Sequence, residues 1–472
     1  MPPASLTAAQ LAQAQASWEN GDTATCEQIL LALLAREPAH EAAAWLLARL
    51  QQSEGRLGAA AATVFELCRQ REFAPDLSLR AAQFAQQCQQ QPVADRLCDA
   101  ALDAGAVSPE LLAVAGNVAR EIGAFDKARR HYLAALDAGI DLDRWYVLGA
   151  LAHTQRYVAS DDADLARFSR HFGDAAAAPR ARAATGFGLA KAFDDLGDWR
   201  AAAATLAQAN VLVRGVLPWS GEAWRAFVAA RLRETLPRTR LDSRGFVPVF
   251  VLGLPRSGTT LTATRLAAHP AARDRGELRT LRFIAEQLVA GGHLGSRDAL
   301  DESAALYFRH ARQDDAPATW YIDQDPLNFR WLHLIAALFP QARVIHVRRS
   351  RRDTALSLWA QDFAHADAAF AYDFDSIGEF GAGHDALMAH WQRTLPLPIQ
   401  TVDYEEFVAA PDPTLAALRR FVGMPPAEAP VAQDAPINSA SVWQARQPVY
   451  TRSVERWRNY LPYVPELERF PA

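Results

Sequence analysis

The stretch PVFVLGLPRSGTTLTATRLAAHP, from Pro248 to Pro270, constrains the fold more than any other feature of this 472-residue chain. Its opening, PVFVL, is an apolar run cut short by glycine, which predicts a buried strand. Glycines at 253 and 258 permit a tight turn, and the helical pattern that follows places a helix amino terminus at that turn. Successive amide hydrogens then converge on one anion-sized hollow. Strand, glycine loop and helix in this order predict a phosphate-cradling α/β domain.

The spacing fits G-x-x-x-x-G, yet Thr259 stands where an ATP-binding loop carries lysine, with Thr260 after it. No downstream strand ends in an aspartate suited to holding Mg²⁺. The best candidate, RVIHV, runs into Arg348 and Arg349 instead. These features argue against an ATPase or kinase-like enzyme and for a phosphorylated donor handled without metal. His269, His333 and His346 lack ligand spacing, so no metal site is expected.

The first half of the chain repeats itself. Gly21, Gly55 and Gly123 fall on a period of 34 residues, with Gln89 at the missing position. Five residues after each comes Cys26, Ala60, Ala94 or Ala128; four further on, Leu30, Val64, Cys98 or Tyr132; then Leu33, Leu67, Ala101 or Ala135. After an interruption between Tyr157 and Pro179, Gly197, Ala202, Leu206 and Ala209 resume the offsets. Small and large residues alternating in this way let helix pairs approach closely and stack. The pattern resembles the tetratricopeptide repeat in about five degenerate units. A rigid scaffold and a groove for a protein partner both fit such an array.

FVLGLPRSGTTL resembles the 5′-phosphosulfate loop of sulfotransferases, above all tyrosylprotein sulfotransferases and their bacterial tetratricopeptide-bearing relatives. The resemblance extends from Phe246 to Pro462 and implies PAPS (3′-phosphoadenosine 5′-phosphosulfate) as donor, without metal. It assigns Arg256, Ser257, Gly258, Thr259 and Thr260 to the 5′-phosphate and sulfonate. In ARVIHVRRSRRDTALSLW it assigns Arg349 and Ser357 to the 3′-phosphate, leaving Arg348, Arg351 and Arg352 as surface or salt-bridged residues. In IQTVDYEEFV it sets Tyr404 near the nucleotide, followed by Glu405. SVWQARQPVYTRSVERW resembles the closing segment, with Ser441 steadying the sulfonate and Arg456 capping the donor.

The implied chemistry is sulfonyl transfer, which needs a base for the acceptor proton and hydrogen-bond donors for the leaving oxygen. Glu277, 21 residues after Arg256, matches the family's base, and Arg279 would hold an acidic or polar acceptor. One position departs from the pattern: YIDQDPLNF carries Gln324 where the family usually has lysine. Losing such a donor can cost a factor of roughly 10² in rate. Gln324 can donate a hydrogen bond, Arg256 can compensate, or the domain binds nucleotide without efficient turnover.

The expected architecture is α + α/β: an amino-terminal α-solenoid of tetratricopeptide-like repeats (1–210), a helical linker (211–245) and a P-loop-like parallel-sheet sulfotransferase domain (246–472). The expected function is transfer of a sulfonate group from PAPS to an acceptor hydroxyl. A protein tyrosine is the acceptor the resemblance favours, with glycans and small molecules behind it. The alternative is a repeat scaffold whose transferase-like domain binds nucleotide and catalyses weakly.

A formal net charge of −5 lacks the basic field a general nucleic-acid binder needs. The amino terminus shows neither a basic start nor a long apolar run, and no membrane span is expected. All four cysteines, Cys26, Cys68, Cys88 and Cys98, lie in the first hundred residues without metal-ligand spacing. They are expected to be reduced packing residues. A cytoplasmic location follows as an expectation.

Overall fold

The computed structural model of the chain describes residues 3–239, 245–363, 365–426 and 453–471. It divides into two compact units, Met1–Asp141 with Arg309–Ala316, and Leu142–Phe308 with Pro317–Ala472.

The first unit is helical throughout its described residues, and the 34-residue period sets its helix starts. Helices Thr23–Arg36, Leu57–Gln70, Gln91–Asp103 and Phe125–Asp137 each begin two residues after a repeat turn. Between them run Glu41–Ser53, Pro75–Gln87 and Pro109–Glu121. At the turns Gly21, Gly55 and Gly123 adopt φ of 80°, 75° and 84°, and Gln89 takes φ of 57° in the glycine's place. A left-handed residue is the common way to end one helix and redirect the chain into the next. For Gln89 that conformation costs about 1 kcal/mol or more.

All twelve periodic positions from Cys26 to Ala135 are buried, none more than 1% exposed. The small residues are required by contact: a Cβ on Gly116 would lie 2.4 Å from the Tyr132 ring. The four cysteines are free and buried. Burial pushes the Cys68 thiol up to about 11 and Cys88 and Cys98 up to about 12, far from the reactive thiolate range. Within the same unit, the Asp314 carboxylate accepts the Gly58 and Ala59 amides at 2.8 and 2.7 Å, satisfying the helix that starts at Leu57.

In the second unit, helices Pro179–Asp195 and Trp199–Val216 pack on one another and keep the repeat offsets, with Gly197 at φ 77° and Ala202, Leu206 and Ala209 buried. Their other contacts go to the sheet-bearing part. Asn210 donates to the Trp359 carbonyl at 2.9 Å, Arg180 pairs with Asp362 at 2.7 Å, and the Tyr460 hydroxyl donates to Asp194 at 2.6 Å. The compact units therefore part at Asp141, upstream of the boundary expected near 210. Within the expected linker, helix Gly221–Arg231 is a packed element: Trp224 is 6% exposed and stacks on Phe380 with ring centroids 4.5 Å apart.

The sheet has five parallel strands, β1 (Val247–Gly253), β2 (Ala272–Asp274), β3 (Trp320–Asp323), β4 (Arg343–Arg348) and β5 (Ile399–Asp403), in the order β2-β3-β1-β4-β5. β1 and β4 are buried over nearly their whole length, as central parallel strands must be. Val249, Val251, Ile345 and Val347 form one apolar core with Ala263, Leu266 and Phe407. The chain reaches β3 on one side of β1 and β4 on the other, so the carboxyl ends of β1 and β4 open the crevice in which such sheets bind ligands. No helix among the described residues is long and apolar enough to cross a membrane.

Candidate active site

β1 ends at Gly253, in register with Val347 of β4. A Cβ at 253 would lie 2.3 Å from the Val347 carbonyl oxygen, so only glycine lets the chain leave the strand there. The loop closes at Gly258, whose φ is 108° and whose Cβ would meet the Tyr404 ring at 2.4 Å. Helix Thr259–Ala267 starts immediately afterwards. The first amides of a helix have no partner within it, and here they border the loop. Ser257 is 1% exposed, and its Oγ has no hydrogen-bond partner. A buried hydroxyl left unpaired beside such amides is the mark of a site shaped for an anion.

The residue expected to hold the second anion, Arg349, directly follows β4. The Arg349 guanidinium donates through Nη1 to the Arg256 carbonyl at 3.0 Å and through Nη2 to the Ser453 carbonyl at 2.6 Å, and lies over the Tyr404 ring at 4.9 Å. Its Nε is buried without a partner. Ser357, on helix Arg351–Trp359, accepts from Arg256 Nε at 3.1 Å. Tyr404 shares a hydrogen bond with Ser453 at 2.7 Å, and Glu405 accepts the Ser350 amide at 2.9 Å. Arg256, Ser257, Gly258, Thr259, Thr260, Arg349, Ser357 and Tyr404 thus share one neighbourhood, although they span some 150 residues of sequence.

A third group gathers at the ends of β2 and β3. Gln324 donates its main-chain amide to the Gly276 carbonyl at 2.9 Å, which ties the segment carrying Glu277 to the end of β3. Asp323 is 1% exposed and accepts from the Tyr307 hydroxyl at 3.0 Å and from the Asp325 amide at 3.1 Å. Burial, then repulsion from Asp325 and Asp323, holds the Glu277 carboxyl well above its ordinary range, against the pull of Arg279 and Arg256. Asp323 is pushed up to about 8 by burial and by Asp325, and burial raises Asp325 as well. A carboxyl held that high is a strong proton acceptor once ionised, and its ionised fraction grows as pH rises past neutrality. Gln324 is 2% exposed with its Oε1 unpartnered. Arg279 opens helix Arg279–Ala290 as an exposed residue.

Two sequence-predicted residues stand apart. Ser441 lies outside the described residues. Arg456 pairs with Asp194 at 2.8 Å and lies over Tyr460 at 5.4 Å, so its described role is to pack the carboxy-terminal segment on helix Pro179–Asp195. Arg348 pairs with Asp403 at 2.9 Å, Arg351 with Asp385, and Arg352 donates to the Phe470 carbonyl at 2.8 Å, all in keeping with surface roles. His269 accepts the Ala271 amide at 3.2 Å, and His333 pairs with Glu234 at 2.9 Å. Burial depresses His346 to about 3, which keeps it neutral. Among the described residues no cluster of three or more metal-ligating side chains occurs.

Sequence reasoning missed Asp353. This 2%-exposed carboxylate accepts the Glu455 amide at 2.7 Å and the Trp457 amide at 3.0 Å, fastening the segment whose Ser453 carbonyl receives Arg349. Its only local signature is Ser350, whose Oγ accepts the Asp353 amide as a helix cap.

Residues 248–428 match the Sulfotransferase family model. The matched segment is similar to that family over well under half of the chain. The chain is 32% identical over 308 residues to an uncharacterized protein of Aquifex aeolicus, covering 60% of this chain and 40% of that one. It is 24% identical over 240 residues to protein-tyrosine sulfotransferase 1 of Danio rerio, covering 45% of this chain and 66% of the fish protein. The chain thus spans well under half the length of the first relative and just under two thirds of the second. The solved structure of a Mycobacterium tuberculosis sulfotransferase aligns with 67% of this chain and 99% of its own at 15% identity, with a TM-score of 0.27, too low to bear on the fold.

Proposed function

We propose that the sheet-bearing unit transfers a sulfonate group from PAPS to an acceptor hydroxyl, with a protein tyrosine as the favoured acceptor and glycan or small-molecule hydroxyls as the others. The observation that carries this reading is the pairing of Arg349 with the glycine loop, which sets a guanidinium on the carbonyl of Arg256, the residue before Ser257 with its unpaired hydroxyl. Two anion-binding elements so close together suit one nucleotide with phosphate at both ends.

PAPS supplies the sulfonate and the leaving phosphate. In this reading Ser257, Gly258, Thr259 and Thr260 hold the 5′ end through loop amides and hydroxyls. Arg349 and Ser357 hold the 3′-phosphate, and Tyr404 bounds the site beneath Arg349. Glu277 takes the acceptor proton, its raised affinity for protons matching that task. Arg279, exposed two residues on, holds the acceptor, and Arg256 supports charge on the leaving oxygen.

A weaker catalyst, a scaffold that chiefly binds nucleotide, is the second reading, favoured by a neutral buried Gln324 where a cation would serve the leaving group. Calorimetric titration with PAPS and adenosine 3′,5′-bisphosphate, followed by transfer assays on wild type and Gln324→Lys, separates the two. Nucleotide binding without transfer by either protein removes the enzyme reading. Failure to bind nucleotide removes both.

For the first unit we propose a partner-binding role as a tetratricopeptide-like array. Its support is a cavity of about 580 Å³ lined by Trp18, Trp45, Leu46, Arg49 and Arg80. The four free buried thiols suit a reducing compartment, and the cytoplasm is the location proposed.

A further inference from the structure

The sheet-bearing unit has a cavity of about 340 Å³ that the proposed chemistry leaves unused. Its walls grow out of the segments around Glu277. One wall is helix Arg279–Ala290, which begins two residues after Glu277 and contributes Arg282, Glu286, Val289 and Ala290. Another is the turn Pro326–Trp331, which begins next to Asp325 and contributes Arg330 and Trp331. Phe227 and Arg231 of helix Gly221–Arg231 complete it. At 1.5 Å per residue, the helix carries the cavity from about 5 to about 15 Å beyond Arg279. Two or three residues of extended chain, at about 3.3 Å each, reach its near end.

The lining specifies what fits. Arg231 lies over Phe227 at 5.1 Å and over Trp331 at 4.9 Å, so rings and a guanidinium plane already stack here. Charge is balanced locally. Arg231 pairs with Glu234 at 2.8 Å, Arg282 with Glu286 at 2.7 Å and also with Asp367, and Arg330 with Asp367 at 3.6 Å. Three guanidinium groups facing three carboxylates leave little net field for an anionic ligand. Arg231 and Trp331 are themselves buried, and the flat, polarisable surface left for a neutral ring is that of Arg282, whose side chain is 39% exposed. Val289, 43% exposed, lines the cavity, and Phe283, 52% exposed, continues the apolar surface of the same helix.

We propose that this cavity is an acceptor subsite that receives an uncharged aromatic side chain two or three residues from the hydroxyl to be sulfonated. The inference rests on the sulfotransferase reading above for its catalytic consequence, and it narrows the acceptor to a polypeptide with an aromatic flank. It places the preference in stacking and not in attraction of acidic residues.

The test uses the full chain with adenosine 3′,5′-bisphosphate and a set of fluorescent tyrosine peptides. Each carries phenylalanine, glutamate or alanine at one of the three positions on either side of the tyrosine. At one position two or three residues away, phenylalanine should bind about tenfold tighter than alanine, with glutamate no better than alanine. Ala290→Trp, which fills the cavity from an exposed position, should erase that advantage, with thermal melting confirming the fold. Equal affinity for phenylalanine and alanine at every position, a preference for glutamate, or an advantage that survives Ala290→Trp overturns the proposal. Binding is read without turnover, so its outcome is independent of a transfer assay with PAPS, whose failure would remove the catalytic reading alone.

Discussion

Arg349 donates to the main-chain carbonyl of Arg256 at 3.0 Å, so the residue expected to grip one end of a nucleotide is fastened to the loop expected to grip the other. The contact positions the guanidinium before any ligand arrives. Ordering a free arginine side chain would otherwise cost on the order of 1 to 2 kcal/mol of rotamer entropy.

Arg349→Ala should therefore lower affinity for adenosine 3′,5′-bisphosphate by about 10- to 100-fold, the range of a charge-assisted hydrogen bond to phosphate. Arg349→Lys should recover only part of it, since a point charge cannot reproduce the planar fork. Calorimetric titration decides this, and wild-type affinity in the alanine variant would remove Arg349 from the site.

Gly258→Ala meets two obstacles at once, a φ of 108° and a Cβ placed 2.4 Å from the Tyr404 ring. A loss of about 2 kcal/mol or more in unfolding free energy is expected from backbone strain and overpacking together. Denaturant titration would show it, and an unchanged midpoint would mean that the loop relaxes freely.

The carboxyls gathered around Glu277 give pH dependence a definite sign. Glu277, Asp323 and Asp325 all bind protons more tightly when folded than when unfolded, with Asp323 held at about 8. Between the ordinary carboxylate range and that value the native state holds more protons, so stability falls as pH rises. Glu277→Gln should thus be more stable than wild type near pH 9 and no more stable near pH 5, by denaturant unfolding. In transfer assays kcat should climb with pH along a limb set above the usual carboxylate range, and Glu277→Gln should lack transfer while keeping donor affinity. A large loss of donor binding would place Glu277 among the nucleotide ligands instead.

Asp353 holds two amides of the carboxy-terminal segment, at Glu455 and Trp457. Asp353→Ala leaves both without acceptors, and amide exchange at residues 453–460 should accelerate by at least tenfold. Nucleotide affinity should fall in parallel, because Ser453 accepts from Arg349. Faster exchange with unchanged affinity would separate the segment from the site.

What the sequence determined by itself was whatever local rules dictate. The 34-residue period placed the left-handed turns at Gly21, Gly55, Gly123 and even Gln89, since a helix that ends sharply needs such a residue there. The apolar run before Gly253 and the helical pattern after Gly258 marked the cradle for the same reason. Only the tertiary structure decided which long-range partners meet. Arg456 pairs with Asp194, Asp353 anchors a segment a hundred residues downstream, and helices 179–216 join the sheet-bearing unit although their offsets copy the first unit's repeats. Such pairings depend on which faces fold against each other, and a side chain's charge or spacing carries no record of the partner that will desolvate it.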